Sequence, residues 1–125
     1  MKRLYAIRGA ACAENNADSI TESTLKMCSA IFTKNKINEN DIVSIQFTLT
    51  KDLDAKNPCA ALRKGYSEID ISKIPLFCSQ EAFIQGGLEK VIRVLITVYL
   101  EENSKIENVY INGAEVLRPD FCKKN

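Results

Sequence analysis

Histidine is absent from the 125-residue chain. That absence removes Ser-His-Asp and Cys-His nucleophile pairs, His-bearing zinc sites and any mechanism that moves a proton through an imidazole. An excess of either charge is lacking too, since 17 Lys and Arg face 16 Asp and Glu for a net +1. No global field draws in nucleic acid or an anionic membrane, so an anionic partner must be met by a local cluster of charge. Paired cysteines are missing: Cys12, Cys28, Cys59, Cys78 and Cys122 are odd in number, widely spaced and never C-x-x-C, which reads as reduced thiols. Neither G-x-x-x-x-G-K-[ST] nor G-x-G-x-x-G occurs, and Gly86-Gly87 lacks the spacing of a phosphate loop, so nucleotide binding has no support. Long apolar runs are lacking as well. After Lys2 and Arg3, the stretch Leu4–Ile7 is cut by Arg8, too short for a signal-peptide core, and nothing approaches membrane-spanning length. The expectation is a cytoplasmic protein with no membrane and no nucleic-acid partner.

What is present suits one ordinary domain over residues 1–125. Hydrophobic residues make up 46% of the chain, enough at this length for a core that hides roughly two-thirds of the unfolded surface without metal or disulfide staples. No repeat or Pro/Gly/Ser linker divides it. Residues 2–8 suit a strand. From Asp18 to Lys34 the apolar residues Ile20, Leu25, Cys28, Ile31 and Phe32 fall at helical spacing, with Asp18 or Ser19 as the cap and Glu22 completing a capping box with Ser19. Residues 43–49 alternate, with Val43, Ile45, Phe47 and Leu49 against Ser44, Gln46 and Thr48, the period of a half-buried strand. Asn57-Pro58 opens a short helix that ends near Gly65. Ile74–Phe77 reads as an edge strand because of Pro75. Val91–Val98 is apolar at nearly every position and reads as a central strand covered on both faces. Val109–Ile111 and Ala114–Leu117 read as a hairpin about Asn112-Gly113. The fold class expected is α/β, a mixed sheet with helices outside it.

Arg93 is the most informative side chain. It interrupts the most hydrophobic strand, where an unpaired charge costs several kcal/mol. An ion pair would satisfy it for structural reasons, an anion at a cavity wall for functional ones, and Glu81 fits either. Arg8, before Gly9-Ala10 at the end of the first strand, is placed to project over a sheet edge. Arg63 and Arg118 carry no signal beyond their charge. Cys78, three residues before Glu81, is a nucleophile by position, but without histidine only arginine is left to generate its thiolate, so packing is favoured. Tyr110 serves either as a sheet aromatic or as a hydroxyl aimed at a ligand.

These pieces meet in segments that run the length of the chain: Ile7-Arg8-Gly9-Ala10; Asp52-Leu53 with Pro58 and Arg63; Cys78-Ser79-Gln80-Glu81; Gly86-Gly87-Leu88 leading to Ile92-Arg93-Val94; Val109-Tyr110; and Val116-Leu117-Arg118-Pro119-Asp120. In order and approximate spacing the chain resembles the monofunctional chorismate mutases of the small trimeric α/β type. The resemblance implies a homotrimeric pseudo-barrel with helices outside and active sites in clefts between subunits. It implies the cofactor-free pericyclic rearrangement of chorismate to prephenate, on the route to phenylalanine and tyrosine. A concerted [3,3] shift transfers no proton and forms no covalent enzyme intermediate, which suits a chain without histidine.

Carried over by residue, the resemblance puts Arg93 against the ether oxygen, where charge builds as the C–O bond breaks. Arg8 would bind a carboxylate, Glu81 would accept from the substrate hydroxyl with Cys78 nearby, and Tyr110 would donate to a carboxylate. Arg63 and the Leu117-Arg118 region would close the mouth, beside Phe77. The chain departs from the family pattern where Asn57 and Ala60 replace an aromatic and a lysine, and where Phe77 replaces a small hydroxylic residue. Two other readings stay open: a noncatalytic trimer that binds a small carboxylate metabolite, and an imine deaminase of similar architecture. Retention of Arg8, Glu81, Arg93 and Tyr110 together favours the mutase, and chorismate turnover separates the three. The polar tail Phe121–Asn125 takes no assigned role.

Overall fold

A computed structural model describes residues 1–122 of the chain, so the end of the tail Phe121–Asn125 lies outside the described residues. The first strand, β1 (Lys2–Cys12), outruns the 2–8 outlined by its larger side chains. It pairs along its whole length with antiparallel β4 (Val91–Glu101), from Lys2 opposite Glu101 to Cys12 opposite Val91. Long-range hydrogen bonding carries Gly9, Ala10 and Ala11 into a ladder that their own propensities do not signal. Arg8 therefore stands inside the strand, opposite Leu95, and not at its end.

Helix α1 (Ala17–Lys34) is capped by Asn16, whose Oδ1 accepts from Ser19 N at 2.8 Å. The expected cap, Asp18 or Ser19, falls inside the helix, because the Ser19 hydroxyl is already accepting from Glu14 N at 2.9 Å. Strand β2 (Ile42–Leu49) follows. Helix α2 (Pro58–Gly65) starts as the sequence indicates, with Asn57 Oδ1 accepting from Cys59 N at 2.8 Å and proline in the first turn. Strand β3 (Leu76–Gln80) begins two residues later than expected, because Ile74 closes the 3-10 turn Ile71–Lys73. It is an edge strand, as Pro75 suggested.

Strand β5 (Val109–Ile111) does not form a hairpin with Ala114–Leu117 but lies parallel to β1. Asn112 and Gly113 do adopt the positive φ that a tight turn needs, 55° and 99°. Beyond them the chain enters a 3-10 turn, Ala114–Leu117, with Gly113 N donating to Glu115 Oε1 at 2.7 Å. Burying Ala114 against Ala10, Val91 and Tyr110 outweighs pairing with a strand edge. A helical turn, α3 (Pro119–Cys122), ends the described chain.

The sheet order is β3-β2-β4-β1-β5, which puts the most apolar strand in the middle. Strand alternation divides its side chains between two faces. On one face, Ile7, Ile45, Phe47, Val94, Ile96 and Val98 pack beneath α1 and α2 in the main core. The other face is open within this chain: Leu95 is 36% and Tyr99 44% exposed, so β4 is not covered on both sides. Both helices lie over the first face, which leaves Leu95 and Tyr99 of β4 without a covering layer in this chain. Cys12, Cys28, Cys59 and Cys78 are free thiols. Among the described residues, no helix is long and apolar enough to cross a membrane.

Candidate active site

The ladder registers line up one row of residues across all five strands on the open face. Ser79 of β3 stands opposite Thr48 of β2, Thr48 opposite Arg93 of β4, Arg93 opposite Ala10 of β1, and Ala10 opposite Tyr110 of β5. The next row places Phe77, Gln46, Leu95 and Arg8 side by side. Strands are roughly 4.8 Å apart, so Arg93 and Tyr110 stand about 10 Å from each other across the small Ala10. Tyr110 packs with Ala10, Val91 and Ala114 in a second buried cluster, with Leu117 against it.

Arg93 finds the carboxylate its apolar strand demanded. Its Nε donates to Glu81 Oε2 at 2.7 Å, and Thr48 Oγ1 donates to Glu81 Oε1 at 2.6 Å. Glu81 follows β3 directly, and its own N–H donates to Leu49 O at 2.8 Å. The pair is only partly shielded, with the Arg93 side chain 38% and the Glu81 side chain 24% exposed. It therefore remains accessible to an anion or a hydroxyl from solvent.

Two adjoining hollows meet at this pair. One, about 290 Å³, is lined by Arg8, Gly9, Gln46, Thr48, Val94 and Leu95 together with Glu81 and Arg93. The other, about 270 Å³, lies between Thr50–Asp52 and the loop that carries Phe83, Ile84 and Gly87. Asp52 ties that second wall to β4: its carboxylate accepts from Thr50 Oγ1 at 2.6 Å and from Lys90 N at 3.1 Å. Lys51 Nζ sits 4.0 Å from the centre of the Phe83 ring.

The structure thus brings Arg8, Glu81 and Arg93 around one hollow, with Tyr110 farther along the same face and Phe77, 65% exposed, at its β3 edge. Arg118 lies at the Tyr110 end, its guanidinium donating to both Asp120 oxygens at 3.1 and 2.7 Å. That carboxylate holds the Arg118 pKa above its ordinary value.

Of the named residues, Cys78 and Arg63 lie away from this face of the sheet altogether. Cys78 stands opposite Phe47 and packs against the main core, so its thiol points away from Arg93. Burial raises its pKa. Arg63 is exposed on α2, in the helix layer beyond the sheet. Sequence reasoning missed Thr48 and Gln46 as site residues. Their only signal was a place on the polar side of the β2 alternation, and the pairing register with β4 is needed to see what they face.

An arginine–glutamate pair at the floor of an open groove, with a second arginine one row away and a phenol beyond a spacer alanine, suits a small, compact polyanion that carries a hydroxyl. Comparison with known proteins points the same way. The family model for chorismate mutase type I matches residues 4–121. The chorismate mutase AroH of Bacillus subtilis is 34% identical over 122 residues, covering 94% of this chain and 92% of the relative. A solved chorismate mutase from Clostridium thermocellum superposes with a TM-score of 0.82 at 41% identity, over 90% of this chain and 98% of that one. Matched along nearly its whole length, this chain belongs to the type I chorismate mutase family.

Proposed function

We propose that this chain rearranges chorismate to prephenate, in the biosynthesis of phenylalanine and tyrosine. The observation that carries the reading is Arg93, a cation fixed by Glu81 at the centre of the open sheet face. In the rearrangement an ether C–O bond breaks as a C–C bond forms within one molecule, and negative charge gathers on the departing oxygen. The Arg93 guanidinium meets that charge without reorganising, a role typically worth about 2.7–4 kcal/mol for one preorganised donor. Arg8 and Tyr110 bind the substrate carboxylates from either side, and Glu81 accepts from the ring hydroxyl. Holding these groups at fixed positions selects the folded conformer in which the two reacting carbons meet. All electron movement stays within the substrate, so neither a proton shuttle nor a cofactor enters the step.

The working unit in this proposal is a homotrimer with active sites between subunits. Support comes from the uncovered apolar residues of the sheet face, Leu4, Leu95 and Tyr99, and from Arg63, which is exposed on α2 in the helix layer beyond the sheet. A neighbouring copy would bring Arg63 over the mouth, beside Phe77, Leu117 and Arg118, with the Cys78 thiol supporting β3 from beneath. The enzyme works in the cytoplasm. The test is the loss of chorismate by ultraviolet absorbance with purified protein, with prephenate identified as product and assembly followed by sedimentation equilibrium. Turnover by a three-chain species is the expected result, whereas chorismate decaying at its spontaneous rate would refute the activity.

A further inference from the structure

Glu81 is pinned from two sides by two different strands, and only one of the pins is a charge. Its backbone is anchored by the N–H donated to Leu49 O, but that leaves the side chain its own rotations. Arg93 Nε fixes Oε2 at 2.7 Å, and the Thr48 hydroxyl fixes Oε1 at 2.6 Å. Thr48 is β-branched, which stiffens its χ1, and it sits on β2 between β4, which carries Arg93, and β3, which Glu81 directly follows. With Oε1 held by Thr48, the carboxylate meets the guanidinium through one oxygen only.

We propose that Thr48 is a positioning residue for the rearrangement, one that keeps Glu81 from closing a two-pronged pair on Arg93. The inference rests on the mutase reading of this site. A free carboxylate beside a guanidinium favours the bidentate fork, in which Nε and a terminal nitrogen both donate. That fork would occupy an N–H otherwise directed at the breaking ether bond, and it would rotate the guanidinium plane. Thr48 draws Oε1 toward β2 and leaves the terminal nitrogens of Arg93 to the substrate.

The consequence is a split between the kinetic constants. Carboxylate binding by Arg8 and Tyr110 does not pass through Thr48, so KM is preserved. The charge that Arg93 offers in the transition state does, so kcat falls. Misplacing a catalytic group by about an ångström can cost on the order of a hundredfold, and a rotated guanidinium is expected to cost at least about tenfold.

The experiment compares wild type with Thr48→Val, Thr48→Ala and Thr48→Ser in the chorismate assay, with far-ultraviolet circular dichroism to establish folding. Valine keeps the shape and strand propensity of threonine, and alanine is a second hydroxyl-free variant should valine not fold. The expected result is a kcat loss of at least about tenfold in the hydroxyl-free variant with KM within about twofold, and recovery to within about threefold of wild type by Thr48→Ser. A folded hydroxyl-free variant with kcat within about threefold of wild type, a change confined to KM, or a serine variant as impaired as valine would overturn the role of Thr48 while wild-type turnover left the mutase reading standing. A wild type inert toward chorismate would overturn both.

Discussion

Replacing Arg93 by alanine separates what its ion pair gives the fold from what its charge would give the proposed reaction, because the two are expected to differ greatly in size. The Arg93 and Glu81 side chains are 38% and 24% exposed, so their attraction is screened by solvent. A pair of that kind contributes about 0–1 kcal/mol to stability. Glu81, left behind, keeps the Thr48 hydroxyl at 2.6 Å and access to water, and is not stranded as an unpaired buried charge. The melting temperature of Arg93→Ala should therefore fall by no more than about 5 °C. The transition-state contribution is larger, about 2.7–4 kcal/mol for one fixed donor, which corresponds to at least a loss of about a hundredfold in kcat. Chorismate disappearance under saturating substrate, run beside a thermal melt of the same preparation, measures both quantities. Arg93→Lys provides the charge without the planar fork and should recover only part of the rate. A folded Arg93→Ala protein that turns over chorismate within about tenfold of wild type would refute the electrostatic argument.

Gly9 and the buried thiols give two further tests. A Cβ at Gly9 would stand 2.9 Å from Ile31 Cδ1, 3.0 Å from the Val109 carbonyl oxygen and 3.1 Å from Val94 Cγ1, so Gly9→Ala turns the Ile31 side chain aside and presses on the backbone of β5. A destabilisation of about 1–3 kcal/mol is expected in urea denaturation, and an unchanged midpoint would count against the close packing. Burial raises the Cys28 pKa, and burial followed by the neighbouring Cys78 pushes Cys59 up to about 11. In the unfolded chain these thiols lose their protons near pH 8.5, so the stability they contribute is complete below about pH 8.5 and is lost as pH rises through the folded values. Urea midpoints at about pH 7.5, 9 and 10.5 should fall in that order, more shallowly in Cys59→Ala; equal slopes in the two proteins would remove Cys59 from the explanation.

Local signals in the sequence told where chemistry of one kind or another resides, and pairing decided what it faces. The period of β2, the Asn57-Pro58 start of α2 and the edge position of β3 were legible because each depends on neighbours within a few residues. So was the need of Arg93 for a carboxylate, since an arginine in an apolar strand must be compensated. The length of β1 was not legible, because eleven registered partners on β4 hold Gly9–Ala11 in the sheet. The strand expected after Asn112-Gly113 failed for a similar reason: the turn was read correctly, but burial of Ala114 chose the path beyond it. Thr48 was visible only as a polar residue on the outer side of a strand. Cys78 and Glu81, three residues apart, looked like partners in one cluster until alternation sent the thiol into the core and the carboxylate to the groove.

The pairing of Lys2 with Glu101 also has a bearing on how the protein is made. Strand β1 finds its main partner in a strand that is synthesised well after it and begins only at Val91. At roughly 5–20 residues per second, β1 waits on the order of 5–20 s with its backbone edge unpaired before β4 emerges to pair with it. During that interval α1 is the earliest element able to shelter the strand, since Ile20 and Ile31 belong to the same core cluster as Ile7. A nascent chain stalled before residue 91 would lack the centre of its sheet, holding β1 and β2 with nothing between them. Truncated translation products of this protein should therefore be sticky and short-lived, and quality control would meet them as a βα fragment with an unpaired edge.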